Sequence, residues 1–176
     1  MAKARQNIQI MLSSDAISNR VAELARLIEA DYANKELVAV GLLKGAYCFM
    51  ADLVRAVDLD MQIGFLAASS YGSGQASSGD VKILQEIDCH IQGKDVLIVE
   101  DIVDTGQTIE AVTKHLHSYS PASLRVCTLL DKPSRRKVNI RADYVGFAIE
   151  DYFAVGYGMD VGGKYRDLPY VGKYSG

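Results

Sequence analysis

Three carboxylates within five residues are the first feature of this chain that could do chemistry: Glu100 and Asp101 side by side, and Asp104 three residues on. Thr105-Gly106-Gln107-Thr108 follows directly. Ionised carboxylates offer only acceptor oxygens, which suits sugar hydroxyls or a hard cation. A carboxylate within hydrogen-bond reach of a reacting atom can also take up a proton. Thr-Gly-x-Thr opens a helical pattern, and the first N–H groups of a helix (here Gly106, Gln107 and Thr108) have no partner within it and make a ready anion site. Gly106 lets the backbone bend closely around a ligand. Acceptors for hydroxyls beside a cradle for an anion suit a sugar phosphate. The plainer reading is a solvated strand-to-helix turn, in which Asp104 and Thr105 serve only as helix-start residues.

Positioning such a group requires a strand before it and a helix after it. Val96-Leu97-Ile98-Val99 is apolar and runs straight into the acids, which predicts a buried strand of a parallel sheet. Open sheets of that kind bind ligands at the C-terminal ends of their strands. After the motif, Ile109, Val112, Leu116 and Tyr119 recur at helical spacing, and Pro121 marks the end. Upstream, Ser13 or Ser14 caps a helix carrying Ile17, Val21, Leu24 and Ile28 that ends before Asn34. Residues 37–43 read as a strand, followed by Lys44-Gly45 and a helix with Met50, Leu53, Val54 and Val57 on one face. Strands are also predicted over 61–69, 81–91, 124–130 and 144–149. Residues 70–80 are small, polar and Gly-rich and read as a connection or a lid. The basic run within 131–137 reads by itself as a solvated loop. From Asp151 onward, aromatic residues alternate with glycines and no helical period survives, so short strands and loops are expected to cap the main sheet. Strands alternating with helices predict an α/β fold with a largely parallel sheet covered on both faces, in one domain spanning 1–176.

Bulk properties narrow the classes. A chain of 176 residues with 49% apolar and 23% charged residues can bury one sizeable core without staples. No apolar run is long enough to span a bilayer, and Met1-Ala2-Lys3-Ala4-Arg5-Gln6 shows no secretory pattern, so the cytoplasm is the expected compartment. Cys48, Cys89 and Cys127 form no C-x-x-C pair and read as buried free thiols. His90, His115 and His117 have no metal-ligand spacing. A net charge of −3 argues against nucleic acid or an anionic membrane as a partner. No Walker string is present.

The stretch Val96–Thr108 closely resembles the phosphoribosyl-diphosphate (PRPP) signature of type I phosphoribosyltransferases. Four further stretches continue the match in order: 41–47 (Gly-Leu-Leu-Lys-Gly-Ala-Tyr), 69–71 (Ser-Ser-Tyr), 129–136 (Leu-Leu-Asp-Lys-Pro-Ser-Arg-Arg) and 153–160 (Phe-Ala-Val-Gly-Tyr-Gly-Met-Asp), with 165–170 after them. Together they resemble the hypoxanthine (guanine) phosphoribosyltransferases of purine salvage, over about Ser13 to Lys173. The resemblance implies a twisted, largely parallel sheet flanked by helices, with a small aromatic and Gly-rich hood from about 151–176 and the N-terminal residues. It implies transfer from PRPP to hypoxanthine or guanine with Mg²⁺, in an enzyme that assembles as a dimer or tetramer. PRPP is a polyanion and the chain is acidic, so its capture must rest on backbone amides, a few placed Lys and Arg, and Mg²⁺.

Each role carried over falls on a matching residue. Asp104 corresponds to the general base or acid acting on the purine ring. Glu100 and Asp101 correspond to ligands of the ribose hydroxyls and of metal-bound water, and Asp160 to the residue facing a pyrophosphate-side metal. Thr105, Gly106, Gln107 and Thr108 would wrap the 5′-phosphate. Lys132 would donate to the purine O6, Phe153 would stack on the ring and Ala154 would read its edge through the backbone. The residues alone would place Phe153 in the core. Lys44, Gly45 and Arg166 correspond to pyrophosphate contacts, with a cis peptide expected at Leu43–Lys44. Ser70 and Tyr71 correspond to the start of a lid, and Arg136 to support of the closed lid or of oligomer contacts. Two alternatives stay open: a xanthine-preferring or broad 6-oxopurine transferase, and a non-catalytic PRPP-sensing regulator.

Overall fold

A computed structural model of the chain describes residues 7–70 and 81–176, without the Ser70 side chain. Among the described residues, nine strands and three α-helices follow in the order β1 (Ile8–Leu12), α1 (Ser14–Tyr32), β2 (Leu37–Leu43), α2 (Tyr47–Ala56), β3 (Met61–Ser70), β4 (Val81–Gln85), β5 (Asp95–Val103), α3 (Gln107–His117), β6 (Ser123–Asp131), β7 (Tyr144–Ala148), β8 (Ala154–Val155) and β9 (Val171–Tyr174). Six strands form the main sheet in the order β4-β3-β2-β5-β6-β7. All its pairings are parallel except the antiparallel edge pair β3–β4. β1, β9 and β8 form a separate antiparallel sheet that joins the two ends of the chain.

Alternation along the central strands builds two cores. Leu37 and Ala39 of β2 and Leu97 and Val99 of β5 face α1 and α2, packing with Ile17, Leu24, Ile28, Phe49 and Leu53. Val38, Val40, Val96 and Ile98 point the other way and pack with Ile109, Val112 and Leu116 of α3. Apolar residues on both sides of a strand are what a sheet covered on both faces requires. The predicted α/β architecture is the one observed.

Several boundaries differ from the sequence reading. Ser13 is the N-cap of α1, accepting from the Ala16 amide at 3.2 Å. The strand predicted over 81–91 stops at Gln85. β5 extends past Val99 to Val103, because its pairing with β6 continues through Ile102 to Val103. Tyr119 is not on the α3 core face: the helix ends at His117, and the Tyr119 hydroxyl donates instead to Glu86 at 2.8 Å. All three cysteines are free; Cys127 is buried, whereas Cys48 and Cys89 are half-buried. No helix among the described residues is long and apolar enough to cross a membrane.

Candidate active site

The chain turns from β2 to β3 in one direction and from β5 through β6 to β7 in the other, so the sheet order reverses between the adjacent strands β2 and β5. That reversal opens a crevice at the C-terminal ends of the strands. A cavity of about 470 Å³ lies there. Leu42 to Gly45 contribute from the end of β2, Ala68 and Ser69 from β3, Glu100 to Ile102 from β5, and Lys132 from the end of β6. Asp104 and Thr108 follow from the β5–α3 connection, and Phe153, Ala154, Met159, Asp160 and Arg166 close it from the C-terminal segment. Its size is that of an ordinary small-molecule site.

The acid pair stands at the floor. Glu100 is only 7% exposed, and its Oε1 accepts from the Asp101 amide at 3.0 Å. Burial, and then the neighbouring Asp101 carboxylate, push the Glu100 carboxyl well above the usual carboxylate range. The Asp101 carboxylate lies against Gly45: a Cβ on that glycine would sit 1.9 Å from Asp101 Oδ2. Only glycine allows the β2–α2 turn and the β5 acid to approach so closely. The Leu43–Lys44 peptide next to it is cis, as the family resemblance implies.

The turn into α3 is built differently from the simplest expectation. Its N-cap is Gly106, with φ 84°, and neither Asp104 nor Thr105 caps the helix. A left-handed φ favours glycine, and a Cβ there would also meet Ile140, Arg136 and Val138 within 3 Å. Thr105 Oγ1 accepts weakly from the Gln107 amide at 3.4 Å, whereas the Gly106 and Thr108 amides take no partner among the described residues. The Arg136 guanidinium donates to the carbonyls of Val103, at 3.0 Å, and Asp104, and pairs with Asp131. It therefore braces the backbone under Asp104.

Lys132 is 5% exposed, at the end of β6, with its ammonium near Asp151 and Asp104. Phe153 is 54% exposed, so the core placement that its residue type suggests does not hold. Its ring meets Tyr174 edge-on with centroids 6.3 Å apart. Arg166 donates to the Gly158 carbonyl at 2.6 Å and pairs with Asp160 at 2.7 Å; the other Asp160 oxygen accepts from the Gly163 amide at 2.6 Å.

Eleven of the expected residues thus share one cavity: Lys44, Gly45, Glu100, Asp101, Asp104, Thr108, Lys132, Phe153, Ala154, Asp160 and Arg166. Thr105 and Gly106, in the adjoining turn, and Gln107, at the start of α3, do not line it. Tyr71 and the rest of 71–80 lie outside the described residues. Sequence reading gave no role to Ile102, Met159 and Ser69, which line the cavity, or to Arg135 and Asp151, which flank Asp104 and Lys132. All three of these lining residues lie inside the matching stretches, beside residues that were given roles. Arg135 also lies inside the matching stretch 129–136, but nothing local marks its contact with Asp104, and nothing local marks Asp151.

Among the described residues no three His, Cys, Asp or Glu side chains are grouped to hold a metal by themselves. Glu100 and Asp101 nevertheless turn hard oxygen donors toward the cavity, a set that fits a divalent cation sharing its shell with substrate oxygens.

A crevice at a sheet reversal, lined by an acid pair and beside a helix N-terminus, is where open α/β folds bind their ligands. Residues 10–161 match the family profile of the phosphoribosyl transferase domain, and the chain belongs to that family. It is 49% identical over 171 residues to the hypoxanthine phosphoribosyltransferase of Escherichia coli K12, covering 96% of each chain. It is 47% identical over 163 residues to a hypoxanthine-guanine phosphoribosyltransferase of Staphylococcus epidermidis, covering 93% of this chain and 91% of the other. A crystal structure of a hypoxanthine phosphoribosyltransferase from Staphylococcus aureus superposes with a TM-score of 0.93 at 44% identity, over 97% of this chain and 94% of that one.

Proposed function

We infer that this protein transfers the phosphoribosyl group of PRPP to hypoxanthine, and to guanine, giving the nucleoside monophosphate and pyrophosphate. The observation that carries the reading is the convergence of Asp104, Lys132 and Phe153 with the acid pair on one cavity. An acid pair and an anion cradle alone leave the acceptor open. A proton acceptor, a nearly buried ammonium and an exposed ring beside them select a 6-oxopurine.

In this reading the amides of Gly106, Gln107 and Thr108 bind the 5′-phosphate in the turn that Thr105 begins. Glu100 and Asp101 accept from the ribose hydroxyls, and Lys44, Gly45 and Arg166 hold the pyrophosphate. Phe153 stacks on the purine, worth about 1–3 kcal/mol per base, while the Ala154 backbone meets the ring edge. Lys132 donates to O6; an amino group in that place leaves the ammonium badly matched, which disfavours adenine. Displacement at C1′ develops positive charge on the ribose, which the surrounding carboxylates stabilise, while Lys44 and Arg166 meet the charge of the leaving group. Asp104 takes the ring proton as the new bond to C1′ forms. Glu100, Asp101 and Asp160 would hold Mg²⁺ together with substrate oxygens, and the ion when bound would neutralise charge on the departing pyrophosphate. Residues 1–176 act as one phosphoribosyltransferase domain, in the cytoplasm and as a dimer or tetramer, on the strength of the family.

Asp104→Asn tests the assignment. With hypoxanthine, PRPP and Mg²⁺, kcat is expected to fall by about 10²–10⁴-fold, the usual weight of a positioned acid or base. PRPP affinity, measured by calorimetry, should stay within a few-fold. An unchanged kcat would remove Asp104 from the chemistry.

A further inference from the structure

Lys132 precedes and Arg135 ends a single turn of 3₁₀ helix, Pro133–Arg135, closed by the Arg135 amide donating to the Lys132 carbonyl at 3.1 Å. With three residues per turn, side chains at i and i+3 eclipse and extend on the same side. Both cations accordingly meet the same two acids. Lys132 Nζ stands 3.9 Å from Asp104 Oδ2 and 3.5 Å from Asp151 Oδ1. Arg135 Nε stands 3.1 Å from Asp104 Oδ1, and its Nη1 3.2 Å from Asp151 Oδ2. The four groups close a ring in which acid and base alternate, each carboxylate giving one oxygen to each cation.

We propose that Arg135 and Asp151 are positioning residues for the transfer: Arg135 fixes the Asp104 carboxylate, Asp151 fixes the Lys132 ammonium, and both are thereby aimed at the incoming base. The proposal rests on the reading of Asp104 and Lys132 as the groups that meet the purine. Two features of the ring support it. Asp104 and Lys132 line the cavity, whereas Arg135 and Asp151 do not, so the ring has an inner and an outer half. The inner edge, Lys132 to Asp104 at 3.9 Å, is also the loosest and is too long for a hydrogen bond, whereas both Arg135 contacts are within hydrogen-bond range. A base that offers a ring N–H to Asp104 and a carbonyl oxygen to Lys132 takes over that inner edge. Asp104 then keeps Arg135 and Lys132 keeps Asp151, so neither charge loses its partner. Arg136 holds the Asp104 carbonyl, so adjacent arginines secure the backbone and the side chain of one residue.

Arg135 and Asp151 are about half exposed, and exposed ion pairs add little to stability. Orientation acts more steeply, since displacement of a reacting group by about 1 Å can cost about 10²-fold in rate. Loss of Arg135 is therefore expected in turnover and not in melting temperature.

The test is a double-mutant cycle on the full chain with hypoxanthine, PRPP and Mg²⁺. Arg135→Met should lower kcat by about 10- to 100-fold, with KM for PRPP within about twofold and thermal unfolding nearly unchanged, while Arg135→Lys, which keeps the charge without the planar fork, should fall in between. In an Asp104→Asn background Arg135→Met should cost almost nothing more, because the group through which it acts is gone. Asp151→Asn should raise KM for hypoxanthine and leave KM for PRPP in place. An unchanged kcat in Arg135→Met, or the same fold-loss in both backgrounds, overturns the proposal. An unchanged kcat in Asp104→Asn alone overturns instead the role of Asp104 on which it rests.

Discussion

Gly45 shows how a residue with no side chain can define a site. The Asp101 carboxylate occupies the space where a Cβ would stand, with Oδ2 at 1.9 Å and Cγ at 2.5 Å. Gly45→Ala must therefore displace either the carboxylate or the turn that carries Lys44. We expect a rise in KM for PRPP and a fall in kcat of about 10-fold or more, with steady-state kinetics as the measurement; unchanged kinetics would mean that Asp101 does not need its present position. Single residues were legible where their type was unusual for its place. Two adjacent acids ending an apolar strand, or Gly106 opening a helix, signal a ligand through their own chemistry. Phe153 carried no such mark, since an aromatic residue suggests the core until the structure shows its ring half in solvent. Arg135 and Asp151 were illegible for another reason: Arg135 meets Asp104 from 31 residues away and Asp151 from 16, and nothing local predicts such pairings.

At the scale of elements, strand and helix identities followed from periodicity, and errors gathered where a neighbour decided the boundary. β5 outruns its apolar segment because β6 continues to pair with it, while α3 stops at His117, before Tyr119, where Ser118 and Ser120 close onto the His115 and His117 carbonyls. Ties between elements carry a prediction about alkaline stability. Tyr144 at the start of β7 donates to Asp31 of α1 at 2.6 Å, and Arg125 of β6 reaches both, at 2.6 Å to Asp31 and 2.8 Å to the Tyr144 hydroxyl. Burial, followed by the hydrogen bond to Asp31, pushes the Tyr144 phenol up to about 12. The folded state thus holds this proton more firmly than the unfolded chain, whose tyrosines titrate near 10. The resulting stability is fully present below about pH 10 and is lost as pH rises through about 12. Thermal unfolding followed between those values should show a shallower decline in Tyr144→Phe, by about 1–2 kcal/mol once solvent screening is allowed for. Identical slopes in the two proteins would refute the link.

For the whole molecule, what matters is that residues from 42 to 166 meet at one end of one sheet. The reversal of strand order between β2 and β5 makes that meeting possible, and the small sheet β1-β9-β8 joins the chain ends beside it. The alternation of strands and helices made the α/β class legible, but neither strand order nor the convergence of distant loops follows from local pattern; those were reached only through the ordered series of motifs shared with a family. The central claim, that this cavity joins a ribose phosphate to a 6-oxopurine, is tested most directly by offering hypoxanthine, guanine and adenine separately with PRPP and Mg²⁺ and measuring pyrophosphate release. The account predicts release with hypoxanthine and guanine, and a rate with adenine lower by at least about 10²-fold. Release with adenine alone, or with none of the three, would contradict it.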